Sequence, residues 1–235
     1  MAELTRQQQE LRELVSLGSR VLAENGHDDY IWGHLAARDP HGQGVWMKRS
    51  GLGFEEVTAE SVLLISFDGD LLHGEGPAHI EWPIHTGVMS ARAGVGATVH
   101  SHPPYCNAIS AAGVPLRAVS HAGSLFAPPD VPRFTQTSNL ITSPELGESV
   151  AGTLGEADAV FLVNHGIVTA GESVADAVVR AVLLEKACQQ QVLTAAAGGV
   201  TYYTADQEAL EKRALVWSER QRLALWSYLV RRLGN

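Results

Sequence analysis

The chain has 235 residues, 45% hydrophobic and only 18% charged, a composition that excludes a disordered chain and fits one well-packed domain spanning 1–235. A formal net charge of -9 disfavours a nucleic-acid partner, because phosphate backbones are gripped by clustered Lys and Arg. No apolar run approaches the roughly 20 residues of a membrane-spanning helix, and the N-terminus lacks a basic-then-apolar signal pattern, so a cytoplasmic protein acting on a small molecule is expected.

Residues 3–25 predict an amphipathic helix, with Leu4, Leu11, Leu14, Val15, Leu17, Val21 and Leu22 near helical spacing and Asn25-Gly26 as the stop. The runs Tyr30-Ile31-Trp32, His34-Leu35-Ala36-Ala37 and Val45-Trp46-Met47-Lys48, punctuated by Asp39-Pro40-His41-Gly42, predict two antiparallel strands. Val62 to Phe67 predicts a strand running into the Asp68-Gly69-Asp70 turn. Glu81 to Arg92 has helical character, with Pro83 in its first turn. Ala97-Thr98-Val99-His100 resumes a strand that Pro103-Pro104 ends. Past a loop-rich middle around Ala127-Pro128-Pro129, Ser143-Pro144-Glu145 opens a helix, Ser being a good N-cap and Pro fitting the first helical position. Ala159 to Asn164 is an apolar strand entering His165-Gly166, and Ile167 to Ala170 a second. Two helices, about 173–197 and 205–232, finish the chain; on the latter Trp226 and Tyr228 do not share a face, so one packs and the other points outward. Interleaved strands and helices with hairpins predict an α/β fold with a mixed sheet covered by helices. Cys106 and Cys188 fall in apolar helical text and read as small buried hydrophobes, not as a disulfide.

Ten histidines stand out. His27 and His41 lie in turns and His73 near one, which predicts solvated rings. His100 and His102 differ, because side chains at i and i+2 of a strand share a face about 6–7 Å apart and can bind one cation. Taken alone, His-Ser-His more often marks two ordinary polar residues at a strand end. His165 adds a third ring at the end of a buried strand, with Gly166 allowing the chain to turn. Three neutral imidazoles leave an open coordination position, the arrangement of a catalytic ion. Glu81, at a helix start, is either a proton carrier and displaceable ligand or a plain N-terminal charge. His85, one turn later, either orients that site or simply packs.

In order and spacing, Gly33 and its hairpin, Ser50-Gly51, Glu81-Trp82-Pro83-Ile84-His85, Ala97-Thr98-Val99-His100-Ser101-His102 and Val163-Asn164-His165-Gly166 resemble the class II aldolase/adducin family over nearly the whole chain. The resemblance implies a three-layer αβα domain with a mostly antiparallel central sheet. It also implies one divalent ion per subunit (Zn, Mn, Fe or Co) on His100, His102 and His165, with Glu81 and His165 as catalytic residues. A homotetramer with sites at subunit interfaces follows from the same likeness. Where sugar-phosphate aldolases of the family usually carry Gly-Asn before Ser or Thr, and Ser-Ser before the glutamate, this chain has Gly33-His34-Leu35-Ala36 and His79-Ile80. With that phosphate grip gone, the text is most similar to the branch that decarboxylates aromatic acids.

The expectation is therefore a lyase that decarboxylates a hydroxylated aromatic or heteroaromatic acid through a metal-stabilised enolate, with Glu81 or a nearby histidine returning a proton. His34, Arg49, Ser50, Gly51, His79 and Tyr105 are the expected substrate contacts, Lys48 and Arg49 suiting a carboxylate. The alternatives are a sugar-phosphate or sugar-acid aldolase or epimerase on the same ion, and a non-catalytic adducin-like binding module.

Overall fold

The computed structural model describes residues 3–234. Residues 1, 2 and 235 of the expected single domain lie outside the described residues.

The chain opens with helix α1, Arg6–Leu22, capped by a reciprocal pair in which Thr5 accepts from the Gln8 backbone N–H and the Gln8 side chain accepts from that of Thr5. The helix is shorter than 3–25: a wider turn over Ala23–His27 ends it, with Gly26 in the left-handed region. Strands β1 (His34–Arg38), β2 (Val45–Lys48), β3 (Val62–Ile65) and β4 (Leu71–His73) form an antiparallel meander. Tyr30-Ile31-Trp32 is not a strand but an exposed turn preceding β1. Then come α2 (Trp82–Ala91), β5 (Ala97–Ser101), α3 (Pro104–Ala112), the short α4 (Gly123–Phe126), β6 (Arg133–Phe134), α5 (Pro144–Leu154), β7 (Ala159–Leu162) and β8 (Gly166–Gly171). Helix α6 (Val174–Ala196) is followed by α7 (Asp206–Val216) and α8 (Glu219–Arg232). The expected helix 205–232 is thus broken at Trp217-Ser218, where Ser218 takes an extended ψ and starts a new helix.

All eight strands among the described residues join one sheet in the order β4-β3-β2-β1-β5-β8-β7-β6, antiparallel except for β6 against β7. Strands β4 and β6 carry too little apolar text to stand out in the sequence. Because successive strand residues face opposite ways, each strand feeds two cores. Leu35, Ala37, Trp46, Val99 and Phe161 face α1 and α6, while Ala36, Met47, Val160, Leu162 and Val168 face α2 and α5. This is the expected α/β fold, a mostly antiparallel sheet between two helix layers. Cys106 and Cys188 are buried free thiols, and Trp226 packs against the first core while Tyr228 is half exposed, as the sequence predicts.

Helices α2 and α5 touch at backbone level. A Cβ on Gly147 would stand 2.2 Å from the Pro83 carbonyl oxygen, so the first turn of α2 is fixed closely against α5. No helix among the described residues is long and apolar enough to cross a membrane.

Candidate metal centre

His34 of β1 lies directly opposite His100 of β5 in the antiparallel register. Both therefore face the α2 layer, at the sheet end where β5 runs out and β8 begins. His102 follows two residues on, past the end of the strand. His165 sits in the turn between β7 and β8, where Asn164 takes the positive φ of 59°. The expected role of Gly166 as the turning residue thus passes to Asn164. Gly166 serves close approach instead, since a Cβ there would lie 2.5 Å from the Ser101 carbonyl oxygen and 2.7 Å from the His102 ring.

One ligand atom each from Glu81, His100, His102 and His165 fall within 4.8 Å of one another. The tautomers of two rings follow from their outer partners. His100 Nδ1 lies 2.9 Å from the Ile167 carbonyl oxygen, which only accepts, so the proton is on Nδ1 and Nε2 is a bare lone pair. His102 Nδ1 donates to Asp29 Oδ2 at 2.9 Å, which leaves its Nε2 bare as well. These two bare nitrogens face each other 3.0 Å apart. Two lone pairs at that distance repel unless a cation lies between them, and both ring nitrogens of His165 are buried without a partner. The donor set fits a divalent ion, with the carbonyl and carboxylate behind the rings as the usual orienting groups.

Glu81 is the N-cap of α2, but its carboxylate does not cap its own helix. It is buried, accepts from the Ile141 N–H at 2.8 Å, and lies 3.5 Å from His165 Nε2 and 3.7 Å from His100 Nε2. Burial alone would raise its pKa, yet His165 and the Ile141 N–H together hold it below the ordinary value. The Ile141 N–H and the adjacent His165 ring favour its ionised form. Burial likewise pushes His100 well below the usual histidine range and lowers His102, so both rings are neutral and ready to ligate.

A second histidine group adjoins the first. The His34 and His79 rings lie 4.0 Å apart, and burial together with neighbouring charge lowers both, His79 to about 4. His85 does not bond Glu81; its Nε2 meets His34 Nδ1 at 2.6 Å and its Nδ1 meets Thr98 Oγ1 at 2.6 Å. Burial pushes its pKa to about 3. Lys48 is fully buried, its ammonium donating to the Ile31 and Leu52 carbonyls, and burial lowers it to about 8.

The structure thus brings together Glu81, His34, His79, His100, His102 and His165. Among the described residues no hydrogen bond joins Arg49, Ser50, Gly51 or Tyr105 to that group. The Ser50 N–H bonds the Pro77 carbonyl, two residues before His79, and Arg49 lies against Gly76, so these two brace the segment carrying His79. Gly51 is exposed in the left-handed region, and Tyr105 packs against the first core with its N–H on Glu185. His27, expected to be solvated, is buried and bonded to Ser101 Oγ at 2.8 Å. His73 is half-buried against Trp46, and His41 is exposed as expected. Asp29 and Thr98 escape a sequence reading: each acts across the fold, and neither lies in a spacing that marks it.

Sheet, layers and site together define an α/β protein with a cluster of three histidines and one carboxylate that could hold a metal ion, at the end of a mostly antiparallel sheet. The chain matches the Class II Aldolase and Adducin N-terminal domain over residues 12–192 and belongs to that family, whose enzymes are metal-dependent lyases. It is 30% identical over 213 residues to a 3,4-dihydroxyphthalate decarboxylase of Arthrobacter keyseri, covering 85% of each chain. It is 28% identical over 167 residues to a 5-deoxy-D-ribulose 1-phosphate aldolase of Bacillus thuringiensis serovar kurstaki, covering 71% of this chain and 76% of that one. The fold matches an L-fuculose 1-phosphate aldolase from Glaciozyma antarctica PI12 with a TM-score of 0.85 at 26% identity, over 98% of this chain and 92% of the other.

Proposed function

We propose that the protein is a divalent-metal-dependent decarboxylase of a hydroxylated aromatic or heteroaromatic acid, such as a dihydroxyphthalate. One observation supports the choice within the family: the imidazoles of His34 and His79 are buried beside Glu81, at positions where the family resemblance implies phosphate-holding asparagine and serine in sugar-phosphate aldolases. The similarity to a 3,4-dihydroxyphthalate decarboxylase points the same way.

In this reading His100, His102 and His165 hold the ion, whether Zn, Mn, Fe or Co. When bound, it would supply Lewis-acid stabilisation of the negative charge left on the substrate by the departing carboxyl group. The chain's own residues do the rest. Ionised Glu81, 3.5 Å from His165 and free of its helix backbone, takes a proton from a substrate hydroxyl and returns it to the ring carbon that lost carbon dioxide. His34 and His79 contact substrate oxygens, and Lys48 holds a positive charge behind them. Arg49, Ser50, Gly51 and Tyr105 are proposed as outer contacts, reached by residues of a neighbouring subunit in a homotetramer. The setting implied is aromatic-acid breakdown in the cytoplasm.

The test is carbon dioxide release by metal-loaded protein across hydroxyphthalates and pyridine dicarboxylates. Release that stops on chelation supports the proposal. No release, with cleavage of a ketose phosphate instead, would establish the aldolase reading suggested by the similarity to a 5-deoxy-D-ribulose 1-phosphate aldolase.

A further inference from the structure

Behind the metal centre, on the α2 face of the sheet, three side chains form a line of short hydrogen bonds. Thr98 Oγ1 lies 2.6 Å from His85 Nδ1, and His85 Nε2 lies 2.6 Å from His34 Nδ1. All three residues are buried. At the end of the line His34 Nε2 is buried with no partner, and so is Nδ1 of His79, whose ring packs against that of His34. One ligand atom each from His34, His79 and Glu81 fall within 4.8 Å of one another. By spacing alone this group fits two occupants: a second cation sharing Glu81, or a substrate oxygen that needs a donor.

The direction of the hydrogen bonds separates them. A neutral imidazole has one ring proton, so a ring that accepts at one nitrogen donates at the other. Among the described residues Thr98 Oγ1 has one hydrogen-bond partner, His85 Nδ1. A buried hydroxyl in that position donates, because the reverse direction strands its proton without an acceptor. His85 then keeps its proton on Nε2 and donates it to His34 Nδ1. His34 in turn keeps its proton on Nε2, the buried nitrogen left without a partner in the group. A protonated nitrogen cannot ligate a metal.

We propose that Thr98 and His85 are positioning residues that fix His34 as the Nε2–H tautomer, so that it offers a hydrogen-bond donor, beside His79, to a carboxylate or carbonyl oxygen of the substrate. Lys48 supports the same occupant: its buried charge lowers the proton affinity of both His34 and His79, outweighing the opposing Glu81 carboxylate at His79, which favours an anionic oxygen there over a second cation. Naming that oxygen as the substrate's rests on the decarboxylase reading; the tautomer itself does not.

Neutron diffraction from zinc-loaded, deuterium-exchanged crystals locates the protons. The expected result is deuterium on Thr98 Oγ1, His85 Nε2 and His34 Nε2, with one zinc per chain. Deuterium on His34 Nδ1 with a bare Nε2, or a second zinc between His34, His79 and Glu81, overturns the proposal. Histidine nitrogen-15 shifts of two variants read the positioning role. Thr98→Ser keeps the hydroxyl and should keep the His34 signature, whereas Thr98→Val should shift it while still binding one zinc. A Thr98→Val protein whose His34 signature is unchanged overturns that role. None of these readouts uses substrate, so a failure to decarboxylate would remove the proposed function without touching this result.

Discussion

At the scale of single residues, the site depends on groups that hold other groups. Asp29 touches no ion position itself, yet its carboxylate fixes the His102 proton on Nδ1 and so leaves Nε2 bare. Replacing such an outer partner typically weakens metal affinity about 10–100-fold. Asp29→Ala is therefore expected to bind zinc that much more weakly with little change in folding, as competition with a chromophoric chelator would measure; unchanged affinity would show that His102 is oriented by something else. Asp39 plays a comparable part in the scaffold. Buried in the β1–β2 turn, it accepts from the Gln8 side chain, the Trp46 indole and the backbone N–H groups of His41 and Gln43. Burial pulls its pKa up, but these four donors outweigh it and leave the net value below normal. Asp39→Ala should cost about 2 kcal/mol of stability, the scale of stranding buried donors. A depressed folded pKa means that the contribution is full above the unfolded value of about 4 and is lost as pH falls through the folded one. Urea midpoints of wild type and variant should accordingly converge in acid; a constant gap would contradict the ionised role.

At the scale of elements, two close approaches position the centre: α2 on α5 through Gly147, and β8 on the end of β5 through Gly166. The methyl group of Gly166→Ala would meet the Ser101 carbonyl and the His102 ring, forcing His102 or His165 aside. The variant should lose metal affinity out of proportion to its loss of stability, measured by zinc titration beside thermal unfolding. A proportionate loss would mean that the glycine serves only folding. The same elements show how much the sequence reveals. His100, His102 and His165 were legible because strand periodicity and strand ends put them on one face, and β1, β2, β5, β7 and β8 because their apolar runs are bounded by turn residues. Strands β4 and β6 were not, as Leu71–His73 and Arg133–Phe134 are too short to show a period. Tyr30-Ile31-Trp32 misled because β-prone residues were here used on an exposed turn. His27 misled because burial of a polar group depends on partners far along the chain, here Ser101.

At the scale of the whole molecule, the exposed Tyr30, Ile31 and Trp32 adjoin Asp29, and so lie beside the metal centre. Large apolar side chains at the mouth of a site suit burial by another subunit. Light scattering is expected to give about four times the chain mass of 25.2 kDa, and Trp32→Glu to lower it. A wild-type monomer with full activity would contradict a shared site.

Everything proposed for the chemistry depends on one ion at the end of the sheet. Anomalous diffraction at the zinc edge from zinc-loaded crystals tests it directly. One peak per chain about 2.0–2.1 Å from Nε2 of His100, His102 and His165, with Glu81 beside it, is the predicted result. No peak there, or a peak held by other residues, would contradict it.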